Sequence, residues 1–400
     1  MGNKVKLAVV GCGGISGAHI NGYKDLFARG CRTFEVTACC DVSLQAAEQR
    51  ATEIATFQGS KPKVIEGIDA LLKAGVAEAA DICTPHCFHH STAIPLLQGG
   101  MHVLLEKPLG ITVKASKKII EAAEKNRRVL ATAENIRKCL SPRACRWALM
   151  EKKMIGDIRF VDIQAINYGQ LDFTKPLFKW RGVKILTGGG MIMDSGAHLA
   201  DMLLYLFGEP DEVSCWMKTF DAAPIQGAPI VGDTRCDVED TWNATIAFRS
   251  GVRVVWTHSR VMPGANSKFG RYYGSEGMME DLGWVFHCFQ GGGKITLKDK
   301  TERSKEWIEQ QFLESLSAGQ KEQLFPHGAT EGFAVEVADF VRAVATGAKP
   351  DMDGYAGLKA KALSEACYES ATIGKTVKYQ DVLEGKIDAF QKPIDDYWKI

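Results

Sequence analysis

Short apolar runs alternate with amphipathic stretches over the first third of the chain. Strand composition is found at residues 5–10, 34–40, 79–83, 102–105 and 129–133, and such nearly continuous apolar runs are typical of strands buried on both faces. Helical patterns separate these runs at residues 16–28, 44–57, 69–74, 91–99 and 113–126. The alternation predicts βαβ units and a parallel sheet.

The pattern changes near residue 135, where strand-like segments follow one another through short turns. They cover residues 158–167, 212–219, 241–248 and 252–259, with Ser250-Gly251 as a hairpin turn between the last two. This run predicts a mostly antiparallel sheet, with a helix over 190–206 inserted between its strands and later helices over 333–345 and 358–373. We therefore predict an α/β protein with two domains, 1–134 and 135–400.

Composition narrows the range of partners. The chain has 400 residues, and 49 Lys plus Arg against 48 Asp plus Glu give a formal net charge of +1, which argues against charge-driven binding to nucleic acid or to a membrane surface. No apolar run reaches about 18 residues, so no membrane-spanning helix is expected. The 12 cysteines form no C-x-x-C motif, which predicts reduced thiols in a cytoplasmic protein and no metal site.

A glycine-rich turn follows the first predicted strand. Gly11 permits the tight turn, Gly13 lets the backbone approach a pyrophosphate, and the N-terminus of the next helix favours negative charge. Ser16 occupies the third fingerprint position, where Gly or Ala is usual, and Gly17 follows it. Asp41 ends the second strand, where an acidic residue binds the ribose of NAD, and residues 42–44 offer no cation for the 2′-phosphate of NADP. NAD is therefore the predicted cofactor, with a helix N-cap as the alternative role for Asp41.

Lys107 follows the strand predicted over 102–105, at the carboxyl end, where ligands bind in an open α/β sheet. An oxidised nicotinamide nearby would lower the pKa of this lysine and suit it to acid/base work, whereas a surface lysine is the alternative. The Thr84-Pro85-His86 segment closes the neighbouring strand. We expect His86 or His89 to face the cofactor, because adjacent histidines on a helix diverge and do not form a metal cluster.

Asp194 and His198 are four residues apart within the helix predicted over 190–206, so they would share one face. The three glycines at 188–190 would let the start of this helix approach another backbone. A surface or capping pair is the alternative for this spacing. Trp180 and Arg181 precede the glycines and would fold over the same pocket.

Together these motifs resemble those of the Gfo/Idh/MocA (glucose-fructose oxidoreductase / inositol dehydrogenase) family over almost the whole chain. The motifs are Gly11-Cys12-Gly13-Gly14-Ile15, Thr84-Pro85-His86 with His89, Glu106-Lys107-Pro108, Asn135-x-Arg137, Trp180-Arg181, and Gly188-Gly189-Gly190 with Asp194 and His198. The resemblance implies an N-terminal Rossmann domain, a C-terminal α/β domain with an open, mostly antiparallel sheet that often forms the oligomer interface, and tightly bound NAD(P). It also implies redox chemistry at a carbon of sugars and cyclitols.

Carried over by position, the resemblance makes Lys107, Asp194 and His198 the catalytic set. Lys107 and His198 would grip the reacting hydroxyl, His198 would take its proton, and Asp194 would hold a neighbouring hydroxyl or tune the lysine. The family often has Asn where this chain has His86. The residues expected to bind cofactor are Gly11, Gly13, Gly14, Ile15, Ser16, Asp41, Thr84, Pro85, His86, His89, Glu106, Lys107, Asn135, Trp180 and Arg181, and those expected to bind substrate are Lys107, Tyr168, Lys184, Asp194 and His198.

We therefore expect an NAD-dependent dehydrogenase for a secondary ring alcohol of a neutral sugar, glycoside or cyclitol, with C3 of a glucoside favoured by family analogy. Two alternatives stay open, an NAD-dependent glycoside hydrolase that works by transient C3 oxidation and elimination, and a non-enzymatic regulator. Trp242, Trp256 and Phe248 would make an exposed face of the second sheet costly. We thus expect a homo-oligomer, dimer or tetramer, with that face at the contact.

Overall fold

The structure, a computed structural model, describes residues 4–169 and 171–400. The chain forms two compact units. The first unit comprises Met1–Ile111, Ala115–Lys138 and Ser317–Leu358, and the second comprises Thr112–Lys114, Cys139–Leu316 and Lys359–Ile400. The sequence pattern places the domain boundary after residue 134. The structure instead assigns Ser317–Leu358, which lies beyond that boundary, to the first unit. Within the described ranges, none of the helices combines the length and apolar character that crossing a membrane requires.

A parallel sheet of six strands forms the core of the first unit. Its strands are β1 Val5–Val10, β2 Phe34–Asp41, β3 Lys63–Glu66, β4 Ala79–Ile82, β5 His102–Glu106 and β6 Leu130–Ala133. The helices that follow them are α1 Gly14–Ala28, α2 Leu44–Gln58, α3 Ile68–Ala74, α4 His89–Gln98 and α5 Val113–Lys125. The strand order is β3-β2-β1-β4-β5-β6, which is the Rossmann order. The loops that leave β1 and β4 therefore meet at the point where the order reverses, which is where ligands bind in such sheets.

The second unit is built on a sheet of nine strands. They are β7 Ile158–Ile166, β8 Pro210–Lys218, β11 Thr241–Phe248, β12 Arg253–Ser259, β13 Ser267–Gly274, β14 Gly277–Asp281, β15 Gly293–Leu297, β16 Glu302–Arg303 and β17 Val377–Lys378, while β9 Pro224–Ala228 and β10 Gly232–Arg235 form a separate hairpin. The order is β16-β15-β14-β13-β7-β12-β11-β8-β17. β7 and β12 run parallel and the other pairs run antiparallel. The predicted α/β class with a mostly antiparallel second sheet is thereby confirmed.

Helices complete both units. Between β6 and β8 lie α6 Leu140–Arg146, α7 Pro176–Lys179, α8 Lys184–Thr187 and α9 Gly196–Phe207. After β16 come α10 Lys305–Ser315, α11 Ala318–Leu324, α12 Gly332–Thr346 and α13 Gly354–Ile373, and after β17 come α14 Tyr379–Glu384 and α15 Lys392–Trp398. α12 packs against α1 within the first unit. Gly22 allows this contact, because a Cβ there would lie 2.9 Å from the Ala334 nitrogen.

The prediction that Trp242, Trp256 and Phe248 lie on an uncovered face of the second sheet was wrong. Trp242, Trp256 and Phe248 are 0%, 1% and 2% exposed, so the unit covers them with its own side chains. α9 lies on this side, since a Cβ on Gly196 would be 2.8 Å from Trp256. Successive side chains of a strand point to opposite faces, so Trp216, next to the cross-strand partner of Trp242, points the other way and is 54% exposed.

Candidate active site

The glycine turn between β1 and α1 leaves room for a ligand on one side only. Gly11 has a φ of +87°, and a Cβ there would lie 2.8 Å from the Cys83 carbonyl carbon, so only glycine fits. Around Gly13 and Gly14, in contrast, a Cβ would meet no atom within 4 Å. The Thr84 hydroxyl beside this turn is buried and has no hydrogen-bond partner. An open backbone at the start of a helix, with an unsatisfied hydroxyl nearby, fits the pyrophosphate of a dinucleotide.

Asp41 stabilises the turn from the neighbouring strand. Its Oδ2 accepts a hydrogen bond from the Cys12 N–H at 2.6 Å, and its Oδ1 accepts one from the Ser43 N–H at 2.8 Å. Ser43 is the N-cap of α2, because its hydroxyl accepts from the Ala46 N–H, so the alternative cap role falls to Ser43. Each carboxylate oxygen keeps a further lone pair, so Asp41 retains the capacity to bind ribose hydroxyls.

The loop after β4 is braced by His89. Its Nδ1 lies 2.8 Å from the Pro108 carbonyl oxygen and its Nε2 lies 2.9 Å from the Thr84 carbonyl oxygen. Burial lowers the pKa of His89, and a neutral ring can donate to only one of these two carbonyls. The structure thus gives His89 a bracing role. His86 is also buried, and its ring meets that of His89 at a tilt of 62°.

Glu106 and Lys107 stand at the end of β5, above a buried cluster that the sequence did not reveal. His19 on α1 lies 2.9 Å from Asp81 through Nδ1 and 2.9 Å from Glu106 through Nε2. Burial lowers the pKa of His19, but the two carboxylates outweigh it and raise the pKa well above its usual range. His19 is therefore an imidazolium that donates to both acids, and it fixes the strand end from which Lys107 projects. A lone histidine within a helix gave no sign of this.

Glu336 on α12 closes the same cluster. Both of its carboxylate oxygens are buried without a hydrogen-bond partner, and Oε1 lies 3.9 Å from His19 Nε2. Burial raises the pKa of Glu336 well above its usual range. Asn135, also in the first unit, is buried, whereas Ile15 is 40% exposed at the start of α1.

In the second unit, Gly190 lies against the buried Glu239 carboxylate and Gly189 lies against the Tyr368 ring. Glu239 accepts hydrogen bonds from the Gly190 N–H at 2.9 Å, from the Ile192 N–H at 3.0 Å and from the Tyr368 hydroxyl at 2.8 Å. A Cβ on Gly190 would lie 2.7 Å from Glu239, and one on Gly189 would overlap the Tyr368 ring. The glycines are needed because a side chain would separate this backbone from Glu239.

This arrangement corrects the helix predicted over 190–206. Residues 191–195 form turns and α9 begins at Gly196, while the backbone N–H groups of Gly190 and Ile192 donate to Glu239. Asp194 therefore lies before the helix and His198 lies in its first turn. The two side chains do not share a helical face as i and i+4 residues.

Asp194 is nevertheless held in a defined position. Its Oδ2 accepts a hydrogen bond from Arg181 Nε at 2.8 Å, and the Arg181 guanidinium lies over the Trp180 ring, 4.6 Å from its centroid. His198 is 8% exposed, and its ring meets the ring of His287 edge-on at 5.0 Å. The second unit thus pairs the Asp194 carboxylate with the Arg181 guanidinium, and the His198 ring with the His287 ring. Sequence reasoning missed His287, which lies far from His198 in the chain.

Two predicted substrate residues have other surroundings. Tyr168 is 55% exposed and pairs through its backbone with Val261. The Lys184 backbone N–H donates to Asp237 at 2.7 Å, and the Lys184 ammonium lies 4.9 Å from the Phe390 ring centroid. Lys184 therefore borders a cavity of about 290 Å³ that Glu239 and Tyr368 also line.

The Rossmann sheet, the open glycine turn and the carboxylate at the end of β2 define a dinucleotide-binding α/β protein. Residues 5–134 match a family profile described as "Oxidoreductase family, NAD-binding Rossmann fold", and residues 147–280 match the "GFO/IDH/MocA C-terminal domain". The chain belongs to the Gfo/Idh/MocA family of oxidoreductases, and its cofactor is NAD.

Several characterised proteins are similar to this chain. D-glucoside 3-dehydrogenase of Escherichia coli is 26% identical over 230 residues, which are 56% of this chain and 61% of that protein. Levoglucosan dehydrogenase of Pseudarthrobacter phenanthrenivorans is 30% identical over 182 residues, 43% of this chain and 46% of that protein. The matched parts thus span less than two thirds of these two relatives.

A solved structure supports the fold over nearly the whole chain. The WlbA dehydrogenase from Bordetella pertussis, in complex with NADH and UDP-GlcNAcA, superposes with a TM-score of 0.71 at 21% identity. The match covers 94% of this chain and 98% of that one.

Proposed function

We propose that the chain is an NAD-dependent oxidoreductase that transfers a hydride between a secondary ring alcohol and the nicotinamide. The observations that carry this proposal are the fixed Asp194–Arg181 pair and the buried His198 four residues further along the chain, together with the open dinucleotide turn of the first unit. The substrate class, a neutral sugar, glycoside or cyclitol with C3 favoured, is supported by the relatives named D-glucoside 3-dehydrogenase and levoglucosan dehydrogenase.

NAD would be held by the turn at Gly11–Gly14, by Asp41 and by the loop from Thr84, and when bound it supplies the hydride acceptor. His198 takes the hydroxyl proton, since it is a mostly buried imidazole and imidazole is the usual acid/base group near neutral pH. Arg181 neutralises Asp194 and orients its free lone pairs toward a sugar hydroxyl. Lys107 is the second group proposed to move a proton.

Isotope transfer tests this function directly. A panel of sugars, glycosides and cyclitols with deuterium at a ring carbon should give deuterated NADH for those that are turned over, read by mass spectrometry. Turnover that leaves NADH unlabelled with every ring-labelled compound would refute hydride transfer from a ring carbon. Cleavage of a glycoside without net NADH would identify the hydrolase alternative instead.

Substitution tests the roles of the two groups. Lys107→Ala and His198→Ala should each lower the rate about 10²–10⁴-fold, the range for one positioned acid/base group, with little change in NADH affinity. His327→Gln, an exposed histidine in the first unit, serves as the control and should leave the rate unchanged. Near-normal turnover in Lys107→Ala or His198→Ala would remove that residue from the mechanism.

We further propose a homo-oligomer, dimer or tetramer, that forms through the outer face of the second sheet. Trp216 and Phe160 point outward there and are 54% and 38% exposed. Burying such aromatic surface favours association. Trp216→Glu should shift the protein to a smaller species in light scattering, and a monomer in the unaltered protein at micromolar concentration would refute the proposal.

A further inference from the structure

Arg50, on the second turn of α2, reaches back to the glycine turn of the first unit. Its Nη2 donates to the Gly13 carbonyl oxygen at 2.9 Å, and its Nε donates to the Ser16 hydroxyl at 3.1 Å. Ser16 in turn donates to the same Gly13 carbonyl at 2.7 Å. A guanidinium therefore braces the backbone segment that faces the open space for the cofactor.

Two departures from the dinucleotide fingerprint are explained by this contact. Ser16 stands where Gly or Ala is usual, and its hydroxyl accepts the hydrogen bond from Arg50. Gly17 comes next, and a Cβ there would lie 2.9 Å from Arg50 Nη2. The serine supplies an acceptor and the glycine supplies space, so the three residues form one local arrangement.

The position of Arg50 also matters for charge. A guanidinium is always protonated, and the side chain of Arg50 is only 15% exposed, so water screens it less than a surface arginine. The first turn of α1 carries no acidic residue that would offset this charge. Glu53 pairs with Nη1 at 2.7 Å but is itself 38% exposed, which weakens its effect. The helix N-terminus adds a further positive potential in the same place.

We propose that Arg50 is a cofactor-binding determinant, whose positive charge strengthens binding of the NAD pyrophosphate at the glycine turn. It acts from behind the turn, through the Gly13 carbonyl and the Ser16 hydroxyl that it holds. Arg50 lies beyond residues 42–44, the segment in which a cation for a 2′-phosphate is expected. The helix geometry of α2 brings this residue back to the turn.

Equilibrium binding tests the proposal without any substrate, so its outcome is independent of the proposed reaction. NADH, ADP-ribose and adenosine are titrated against the unaltered protein and Arg50→Gln by fluorescence and calorimetry. We expect Arg50→Gln to weaken NADH and ADP-ribose about tenfold, the effect of one charge-assisted interaction, and to leave adenosine unchanged because it lacks phosphate. Equal loss for all three ligands, or no loss for NADH, would overturn the proposal.

Further variants separate charge from folding. Arg50→Lys keeps the charge but not the two-nitrogen contact, so its NADH affinity should lie between those of the unaltered protein and Arg50→Gln, whereas a loss as large as that of Arg50→Gln would overturn the charge argument. Lys61→Gln removes an exposed cation from the loop after α2 and should change nothing. If Arg50→Gln does not fold, the NADH affinity of Arg50→Lys at low and high salt decides, since a charge effect weakens as salt rises.

Discussion

Each unit has a glycine-rich turn that leads into a helix. The space beside the turn is open in the first unit and occupied by the protein's own groups in the second. In the first unit, the space around Gly13 and Gly14 is open. In the second unit, Gly190 donates to Glu239 and Gly189 lies against Tyr368, so the protein's own groups occupy the corresponding space. One turn presents its backbone to a ligand, while the other binds an internal carboxylate.

The difference shows that a glycine run by itself does not identify a binding site. Backbone N–H groups in a turn attract an anion, and that anion can be a phosphate or a buried glutamate from the same chain. Where the anion comes from the same chain, the turn is held in place, and in this protein Asp194 lies at the end of that turn. Where the anion is external, the turn stays open and the protein contributes only cations and dipoles.

The largest expected effect is on the filled turn. Gly189→Ala places a Cβ in the Tyr368 ring at a φ of +146°, so we expect it to lower the free energy of unfolding by about 3–5 kcal/mol, measured by chemical denaturation. Gly75→Ala is the matched control, because its φ is also positive, +58°, in the left-handed helical region, but a Cβ there meets no atom within 4 Å. It should cost only about 1 kcal/mol. Equal losses in the two variants would contradict the packing argument.

Asp281, like Asp41 and Glu239, accepts hydrogen bonds from backbone N–H groups, and it should make the stability of the protein depend on pH. Asp281 accepts from Gly283 and Phe289, and burial raises its pKa from 3.8 to about 6. Between these values the folded protein keeps a proton that the unfolded chain has lost, so stability falls as pH rises through that window. We expect this group to lower the free energy of unfolding by about 3 kcal/mol between pH 4 and 7.

Asp281→Asn isolates that contribution. The unaltered protein minus the variant should give a difference in unfolding free energy that falls across the same window and is flat above about pH 7. A difference independent of pH would show that Asp281 titrates normally.

For the open turn of the first unit, we expect a glycine substitution to affect cofactor binding rather than stability. Gly13 has φ −78° and ψ −155°, which alanine also adopts, and nothing lies within 4 Å of a Cβ. Gly13→Ala should therefore keep stability within about 0.5 kcal/mol, yet weaken NADH about tenfold because the methyl group occupies ligand space. Calorimetry and thermal unfolding on one sample measure both. A destabilised variant that still binds NADH normally would reverse the assignment.

The smallest effect concerns cofactor preference. Asp41 would repel a 2′-phosphate, so NAD should bind more tightly than NADP. Asp41→Ala should narrow that gap about fivefold, the size of one partly screened charge interaction. Asp69→Ala, an exposed acid on α3, should leave the ratio unchanged. Tighter binding of NADP than NAD by the unaltered protein would reject the preference.

Local patterns predicted the fold well. The buried strands β1 and β4 stand out because both faces are covered, and α2 has Ser43 as a cap and Gly59 in a left-handed conformation at its end. The helix predicted from 190 began too early because the composition of 190–195 does not distinguish turns from helix, and it gives no sign that Glu239, almost 50 residues away, holds this segment. The alternation of apolar and polar residues within β11 does not show which face of the sheet the unit covers with its own helices. Trp242 was therefore assigned to the wrong face.

For the site, local motifs revealed the turn and the Asp194 region, but not their supports. His19 and Arg50 depend on contacts between elements that no spacing rule connects. Tyr368 lies far along the chain from the glycines it supports. Such long-range partners leave no periodic trace, so they became visible only in three dimensions.

The discontinuity of the first unit has a consequence for biosynthesis. Residues up to Lys138 supply all six strands, but Glu336, which closes the buried cluster around His19, is translated roughly 200 residues later. At about 5–20 residues per second, the ribosome makes that stretch in roughly 10–40 s. During this time the nascent sheet lacks α12, and the apolar side of α1 stays uncovered in the cell. A chain truncated before residue 332 lacks α12 and would keep that side of α1 exposed.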